Sequence, residues 1–434
     1  MRSVAPLLLI GAVAAGSVAE AQDVPQAFVG AHLVPIVGPE IPNGVLVIHE
    51  GTIVSVGSAS STTIPVDAQR HDVSGSTIMP GLVDSHSHIG SAEGGDVSAA
   101  MHPDVRVLDS INVRDARLQK AQAGGITTVN IMPGSGHLMS GQTVYLKLRD
   151  GRTIDDLVIR DPDGRVAGGT KMANGTNSRR EAPFPGTRAK AAAMVRTQFL
   201  KAQDYRRKLR NANDDLSKLP PRDLQMEGLL EILDGGRMVH HHTHRHDDVL
   251  TVLRLAKEFG FRVVLHHVSD AWMVADEIAA AGVASSIILV DSPGGKLEAK
   301  DISLGNGAAL EQAGAVVGFH TDDGITDSRL FLRQAALAVR AGMSRAKALF
   351  GLTMAGAQML DLEDRAGSLE SGKDADLVIL SGDPLSVYTK VLETWVEGQK
   401  VFDRANPKDL VYAVGGVGAS HDQGVFYELE EEAR

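Results

Sequence analysis

The chain of 434 residues contains no cysteine. That excludes disulfides and every thiolate metal site, so a bound metal would have to be held by His, Asp, Glu or a modified Lys, a donor set that suits a catalytic centre better than a structural zinc. No Lys/Arg run or basic stripe stands out, and the formal net charge is −11. Nucleic acid is therefore not an expected partner, and the acidic balance speaks chiefly for solubility. Long apolar runs are also missing, apart from residues 4–15 behind Arg2. That run is shorter than the roughly 20 residues that span a bilayer. It is followed by Ala19-Glu20-Ala21, an A-x-A cleavage pattern. Residues 1–22 thus read as a secretory signal, which predicts an exported, periplasmic or secreted protein with no membrane attachment after cleavage.

What remains is a glycine-rich chain, with 46 Gly and an apolar content of 43%. This composition suits an α/β enzyme with many tight turns and not a fibrous or disordered chain. Two β-rich stretches bracket a long middle. The first holds the β-branched runs 44–48 and 52–56 around His49-Glu50-Gly51, a hairpin signal; the second holds 375–380 and 394–401. They predict one small β-sandwich domain built from both chain ends, 23–79 plus 366–434. Between them strands and helices alternate. Candidate strands are 78–86, 126–131, 143–149, 165–171, 238–244, 262–267, 285–290 and 315–321; helical patterns fall around 108–123, 247–259 and 327–341, the last opening at Asp327-Ser328 as an N-cap. Eight buried strands with intervening helices predict a (β/α)8 barrel of the TIM type over 80–365. Residues 172–225 interrupt the rhythm as a long charged insertion, either a lid on the active-site face or a solvated helical excursion.

Histidines and acids gather where these strands end. His86 and His88 close the run Met79-Pro80-Gly81-Leu82-Val83-Asp84-Ser85-His86-Ser87-His88. Residues two apart on a strand share a face, so both imidazoles can reach one ion. His240, His242, His244 and His246 alternate in the same way within His240-His241-His242-Thr243-His244-Arg245-His246. His266-His267 ends the next run, and alternation puts the two on opposite sides, leaving at most one as a ligand. Phe319-His320-Thr321-Asp322-Asp323 ends the last strand in two carboxylates. One can serve as ligand and as acceptor of a water proton, while the other can cap a turn. Lys171 ends the fourth strand; a buried amine of lowered pKa can take up carbon dioxide as a carbamate with carboxylate-like oxygens.

These residues resemble the amidohydrolase superfamily over nearly all of the chain beyond the signal. The resemblance rests on Pro80 to His88, on the late run Gly367-Ser368-Leu369-Glu370-Ser371-Gly372-Lys373-Asp374-Ala375-Asp376-Leu377-Val378-Ile379-Leu380, and on the ligand candidates between. Lys171-Met172-Ala173-Asn174-Gly175 and His242-Thr243-His244-Arg245 are similar to motifs of the imidazolonepropionase-related and Xaa-Pro dipeptidase-like branch. The resemblance implies a metal-dependent hydrolase of C–N bonds with two divalent ions, zinc foremost, or manganese, iron or cobalt. It implies His86, His88, carboxylated Lys171, His242, His267 and Asp322 as ligands, Asp322 as catalytic base and acid, and His244 beside the substrate. Two positions depart from the branch: His266 stands where a Glu is usual, and Asp323 follows the final Asp. The expected substrate is a small amide or peptide, cleaved by a dipeptidase or carboxypeptidase type of activity, with Arg179, Arg180 and Arg188 as candidate grips for a carboxylate. The alternatives are a one-metal cyclic-amide hydrolase or deaminase, and a non-catalytic metal-binding barrel; a deaminase is disfavoured because no Glu lies between His242 and Glu258. A homo-oligomer is compatible with all three.

Overall fold

The computed structural model describes residues 24–90, 92, 94–213, 215–290 and 296–415. The signal segment 1–22 lies outside the described residues. Five strands precede the first histidine pair: β1 (Gln26–Leu33), β2 (Ile41–His49), β3 (Thr52–Ser58), β4 (Gln69–Asp72) and β5 (Thr77–Pro80). Nine follow through the middle: β6 (Leu82–Ser87), β7 (Ile126–Ile131), β8 (Met139–Gln142), β9 (Val144–Lys147), β10 (Thr170–Ala173), β11 (Val239–Thr243), β12 (Val263–His267), β13 (Ala284–Ile287) and β14 (Val317–Phe319). The last three are β15 (Leu377–Leu380), β16 (Val391–Val396) and β17 (Gln399–Asp403).

Both chain ends enter one eight-stranded sheet in the order β17-β16-β15-β5-β1-β2-β3, with β4 paired to β1. The hairpin between β2 and β3 turns on Glu50 and Gly51, both left-handed at φ 48° and 76°, as a two-residue loop of this twist requires. Alternation then sorts the apolar residues: Phe28, Leu46 and Ile48 pack with Leu377 and Trp395, while Ala27, Val45 and Val47 form a separate cluster. The late Gly-Lys-Asp-Ala-Asp run latches this sheet to the rest. Lys147 on β9, buried, pairs with Asp374 at 2.8 Å and with Asp376. Asp376 accepts from the Glu397 amide at 2.9 Å, and its carbonyl accepts from the Gly81 amide at 3.0 Å, one residue before β6. Gly367 sits at φ 89°, where a Cβ would come within 2.7 Å of the Met354 backbone, so the turn that opens this run admits only glycine.

The middle strands form two sheets, β14-β13-β12-β11-β10-β8 and β6-β7-β9. β10 to β14 pair in parallel, as do β6 and β7. The stretch read as the third barrel strand corrects the regular repeat. β8 runs antiparallel to β10, and β9 antiparallel to β7, with only Thr143 between β8 and β9. The connection 132–138 is too short to hold a crossover helix, so the chain doubles back. The fourth strand also starts later than expected, which puts Lys171 inside β10 instead of at its end. The eighth strand reaches the first through its end: the Asp322 amide donates to the His86 carbonyl at 2.9 Å and the His88 amide to the Asp323 carbonyl at 3.2 Å.

Helices flank these strands. The one at His246–Phe259 stops at left-handed Gly260, and Asp327 caps the short turn Ser328–Leu330 that leads into Phe331–Arg340. The insertion is a loop followed by the helices Arg188–Ala212 and Leu224–Leu233. The longer one packs Phe199 onto the rings of Phe259 and Phe261, at 5.1 and 5.3 Å. The long helix of the insertion is therefore docked.

Candidate metal centre

Four side chains from three strands converge at that mouth. The Nε2 atom of His86 lies 3.3 Å from Nε2 of His88, 2.9 Å from Nζ of Lys171 and 3.2 Å from Oδ1 of Asp322. His88 Nε2 lies 2.8 Å from the same carboxylate oxygen, and its Nδ1 is held by the Met132 carbonyl at 2.7 Å. His267 presents Nε2 towards Asp322 Oδ2 at 3.9 Å, and the ring of His242 stands 4.4 Å from that of His267. All six residues carried over from the resemblance are thus gathered in one place. His244 joins them, its ring 4.6 Å from His242 and 5.0 Å from His267, with Nδ1 held by Ser269 Oγ at 2.8 Å.

The backbone explains why these side chains turn inward together. Asp322 and His267 are left-handed, at φ 50° and 72°, just where their ladders end. Alternation predicted that His266 and His267 face opposite sides; instead both rings lie about 5 Å from His86, at 4.9 and 5.2 Å, because the left-handed turn at His267 breaks the period of two. His266 is nonetheless the packed member of the pair: its Nε2 lies 3.0 Å from His240 Nδ1, and His240 Nε2 lies 3.0 Å from the Tyr145 hydroxyl. His241 bonds the His242 carbonyl at 2.9 Å. Asp84 ties the strand ends together, accepting from Thr321 Oγ1 at 2.5 Å, the Thr321 amide at 3.1 Å and the His86 amide at 3.2 Å. Asp323 is the capping member of its pair and accepts from the amide and hydroxyl of Ser328 at 2.9 and 2.7 Å.

The donor chemistry fits a cation. Both ring nitrogens of His242 are buried without a hydrogen-bond partner, as are His267 Nε2, His244 Nε2 and His86 Nδ1. Such orphaned polar atoms are costly unless something partners them. By distance, three groups of donor atoms among the described residues could hold an ion: His86 with His88 and Asp322, His242 with His244 and His267, and His86 with His267 and His320. Burial holds the imidazoles of His86, His242 and His267 well below their usual range, so they are neutral with lone pairs to offer. Burial pushes the Lys171 amine down to about 7 against the attraction of Asp322. Burial raises the Asp322 carboxyl, but its hydrogen bond with His88 and the positive potential around it, Lys171 included, outweigh that and hold it well below the carboxylate range.

The basic candidates of the insertion are rearranged. Arg188 pairs with the buried carboxylates of Asp248 at 2.7 Å and Glu298 at 3.1 Å. Arg180 donates to the Gly136 carbonyl at 2.6 Å and lies over the Phe184 ring. Arg179 keeps a buried Nε without a partner. Sequence reasoning missed Lys296, which follows β13 and whose ammonium has no ion-pair or hydrogen-bond partner among the described residues. Its charge acts on His242 and His244 and is attracted by Glu298 and Asp322. It missed His320 as well, although a period of two counted back from Asp322 points to it.

The chain as a whole is similar to known amidohydrolases. The amidohydrolase family profile matches residues 233–402. A solved amidohydrolase from Thermotoga maritima is 32% identical, with a TM-score of 0.81 over 87% of this chain and 100% of that one. The amidohydrolase tasK of Hapsidospora irregularis is 26% identical over 83% of this chain, which spans 40% of that protein's length. The imidazolonepropionase of Deinococcus radiodurans is 24% identical over 79% of this chain and 86% of the other. The fold these likenesses imply is a TIM-type α/β barrel.

Proposed function

Because the chain belongs to the amidohydrolase superfamily and is a hydrolase of C–N bonds, we propose that it cleaves an amide or peptide bond in a small substrate at the centre built on His86, His88, Lys171, His242, His267 and Asp322. The observation that carries this reading is the approach of His88, Lys171 and Asp322 to within 3.3 Å of His86 Nε2, beside orphaned buried nitrogens of His242 and His267. Two divalent ions are the proposed complement, zinc foremost, with manganese, iron or cobalt compatible with imidazole and carboxylate donors. When bound, such ions supply Lewis acidity that polarises a carbonyl and brings a water pKa to about neutral.

The chain's own groups take the protons. Asp322, ionised at neutral pH, accepts the proton of the attacking water and passes it to the departing amine. The buried Nε2 of His244 is available to hydrogen-bond the substrate. Lys171, with its pKa brought to about 7, has a neutral amine fraction that adds to carbon dioxide, loses a proton and becomes a carbamate. The ammonium of Lys296, without a partner among the described residues, favours a substrate with a carboxylate, as a dipeptide or an N-acyl amino acid has.

The same proposal divides the chain into a composite β domain (23–79 with 366–434) and a hydrolase barrel (80–365), and it places the protein outside the cytoplasm on the strength of the 1–22 segment. Among the described residues no helix is long and apolar enough to cross a membrane. A second reading, opening of a cyclic amide, is favoured by the likeness to an imidazolonepropionase, whose name marks an imidazolone substrate. Elemental analysis of Lys171→Ala beside the unaltered protein tests the leading reading. Loss of metal together with loss of hydrolysis is expected; full activity and an unchanged metal content would remove the lysine bridge.

A further inference from the structure

Below the mouth, Ser85, Ser286 and His320 are buried and take no part in the proposed chemistry. They form one hydrogen-bonded chain. Ser85 Oγ lies 3.4 Å from the Phe319 carbonyl oxygen and 2.8 Å from Ser286 Oγ. Ser286 Oγ lies 2.9 Å from His320 Nδ1, and His320 Nε2 lies 3.4 Å from His267 Nδ1.

One end of this chain has a fixed direction. A carbonyl oxygen can only accept, so the Ser85 hydroxyl donates to Phe319. Its single proton is then committed, and Ser85 accepts from Ser286. The Ser286 proton is committed in turn, so Ser286 accepts from Nδ1–H of His320. A neutral imidazole carries one N–H, and on His320 that hydrogen is the one at Nδ1. His320 Nε2 is therefore an acceptor, and its donor is Nδ1–H of His267. Only one arrangement satisfies every link, and it leaves Nε2 of His267 bare. That nitrogen faces Asp322 Oδ2 at 3.9 Å, lone pair towards carboxylate, a pairing that is unfavourable unless a cation lies between.

We infer that the chain Ser85–Ser286–His320 fixes His267 as its Nδ1–H tautomer and thereby aims the Nε2 lone pair at a cation shared with Asp322. The three are positioning residues, and His320 also braces the first strand by stacking on His86 at 4.8 Å. The bond order assigns His320 a second role by exclusion. Its Nε2 lone pair is engaged by His267, so the group His86, His267 and His320 is not a ligand set despite its compactness. This inference rests on the proposed metal reading for its purpose, but the tautomer can be measured without metal.

The test uses the full chain, stripped of metal by a chelator and labelled with nitrogen-15 in its imidazoles. The His267 resonances are assigned by their loss in His267→Gln. Two-bond correlations are expected to show His267 as Nδ1–H in the unaltered protein and as a mixture of tautomers in Ser286→Ala. Calorimetric titration with zinc is expected to show affinity about 10–100-fold weaker in Ser286→Ala, the usual cost of losing a partner that orients a ligand. Ser286→Thr, which keeps the hydroxyl, is expected to restore both. An Nε2–H tautomer in the unaltered protein would overturn the inference, and so would zinc affinity in Ser286→Ala within about twofold of it. An Nδ1–H tautomer in a protein that binds no zinc would overturn the metal reading and leave the tautomer assignment standing.

Discussion

His86 and Asp322, 236 positions apart in sequence numbering, are joined twice: the Asp322 amide donates to the His86 carbonyl at 2.9 Å, and the carboxylate Oδ1 lies 3.2 Å from the ring Nε2. The backbone bond sets the distance at which the side chains meet, so the end of the eighth strand and the end of the first act as one unit. In Asp322→Asn the shape is kept and the proton acceptor is lost. Hydrolysis of whichever amide proves to be a substrate is expected to fall about 10²–10⁴-fold in kcat, the range for removal of a general base. Steady-state kinetics decide it; a kcat within a few-fold of the unaltered enzyme would assign the proton transfer elsewhere.

Lys296→Met removes an ammonium that the charge of Asp322 attracts, without touching the six convergent residues. For a substrate with a free carboxylate, KM is expected to rise about tenfold, the worth of one charged hydrogen bond. For the matching carboxamide, KM is expected to stay the same. Equal changes for both would show that Lys296 does not read the acid group.

Acid stability follows from the buried histidines. Burial brings the pKa of His240 and of His241 down to about 3, below the unfolded value of 6.5. The unfolded chain therefore binds more protons between those limits, and stability rises with pH across them and is fully present above 6.5. Each such imidazole costs up to about 1.4 kcal/mol for each pH unit below 6.5. Denaturant unfolding of the chelator-treated protein is expected to show a marked loss from pH 7 to pH 5, and a flat profile would contradict neutral, buried imidazoles.

How much of this was legible in the chain depends on whether a residue's role is local. The strand of His86 and His88 and the segment 126–131 could be read because apolar alternation and a glycine turn are written in adjacent positions. The two aspartates of the late Lys-Asp-Ala-Asp run are plain in the sequence, but Lys147, which they grip, lies in a strand more than 200 positions away. The third strand misled because direction is set by the connection 132–138 and not by the strand's own residues. Arg188 looked like a substrate grip for the same reason: a lone Arg in a charged insertion does not announce Asp248 and Glu298. His266 and His267 failed the alternation rule because one left-handed residue resets it.

Arg188→Met tests the assignment of that arginine to structure. It leaves the Asp248 and Glu298 carboxylates, 4% and 2% exposed, without their cation, while Arg188 itself is a quarter exposed. Solvent screening places the expected loss below that of a fully buried pair, at about 1–3 kcal/mol. A shifted midpoint in chemical denaturation with KM unchanged is the expected result; a raised KM with unchanged stability would return Arg188 to the substrate.

The central claim is that the barrel's hydrolysis of C–N bonds depends on a cation held by the His86, His88, Lys171, His242, His267 and Asp322 cluster. It is tested most directly by assaying a panel of dipeptides, N-acyl amino acids and cyclic amides with the chelator-treated full chain, before and after zinc or manganese is restored. The account predicts no turnover in the stripped protein and recovery as metal returns to about two ions per chain. Undiminished hydrolysis by protein shown to be free of metal would contradict it.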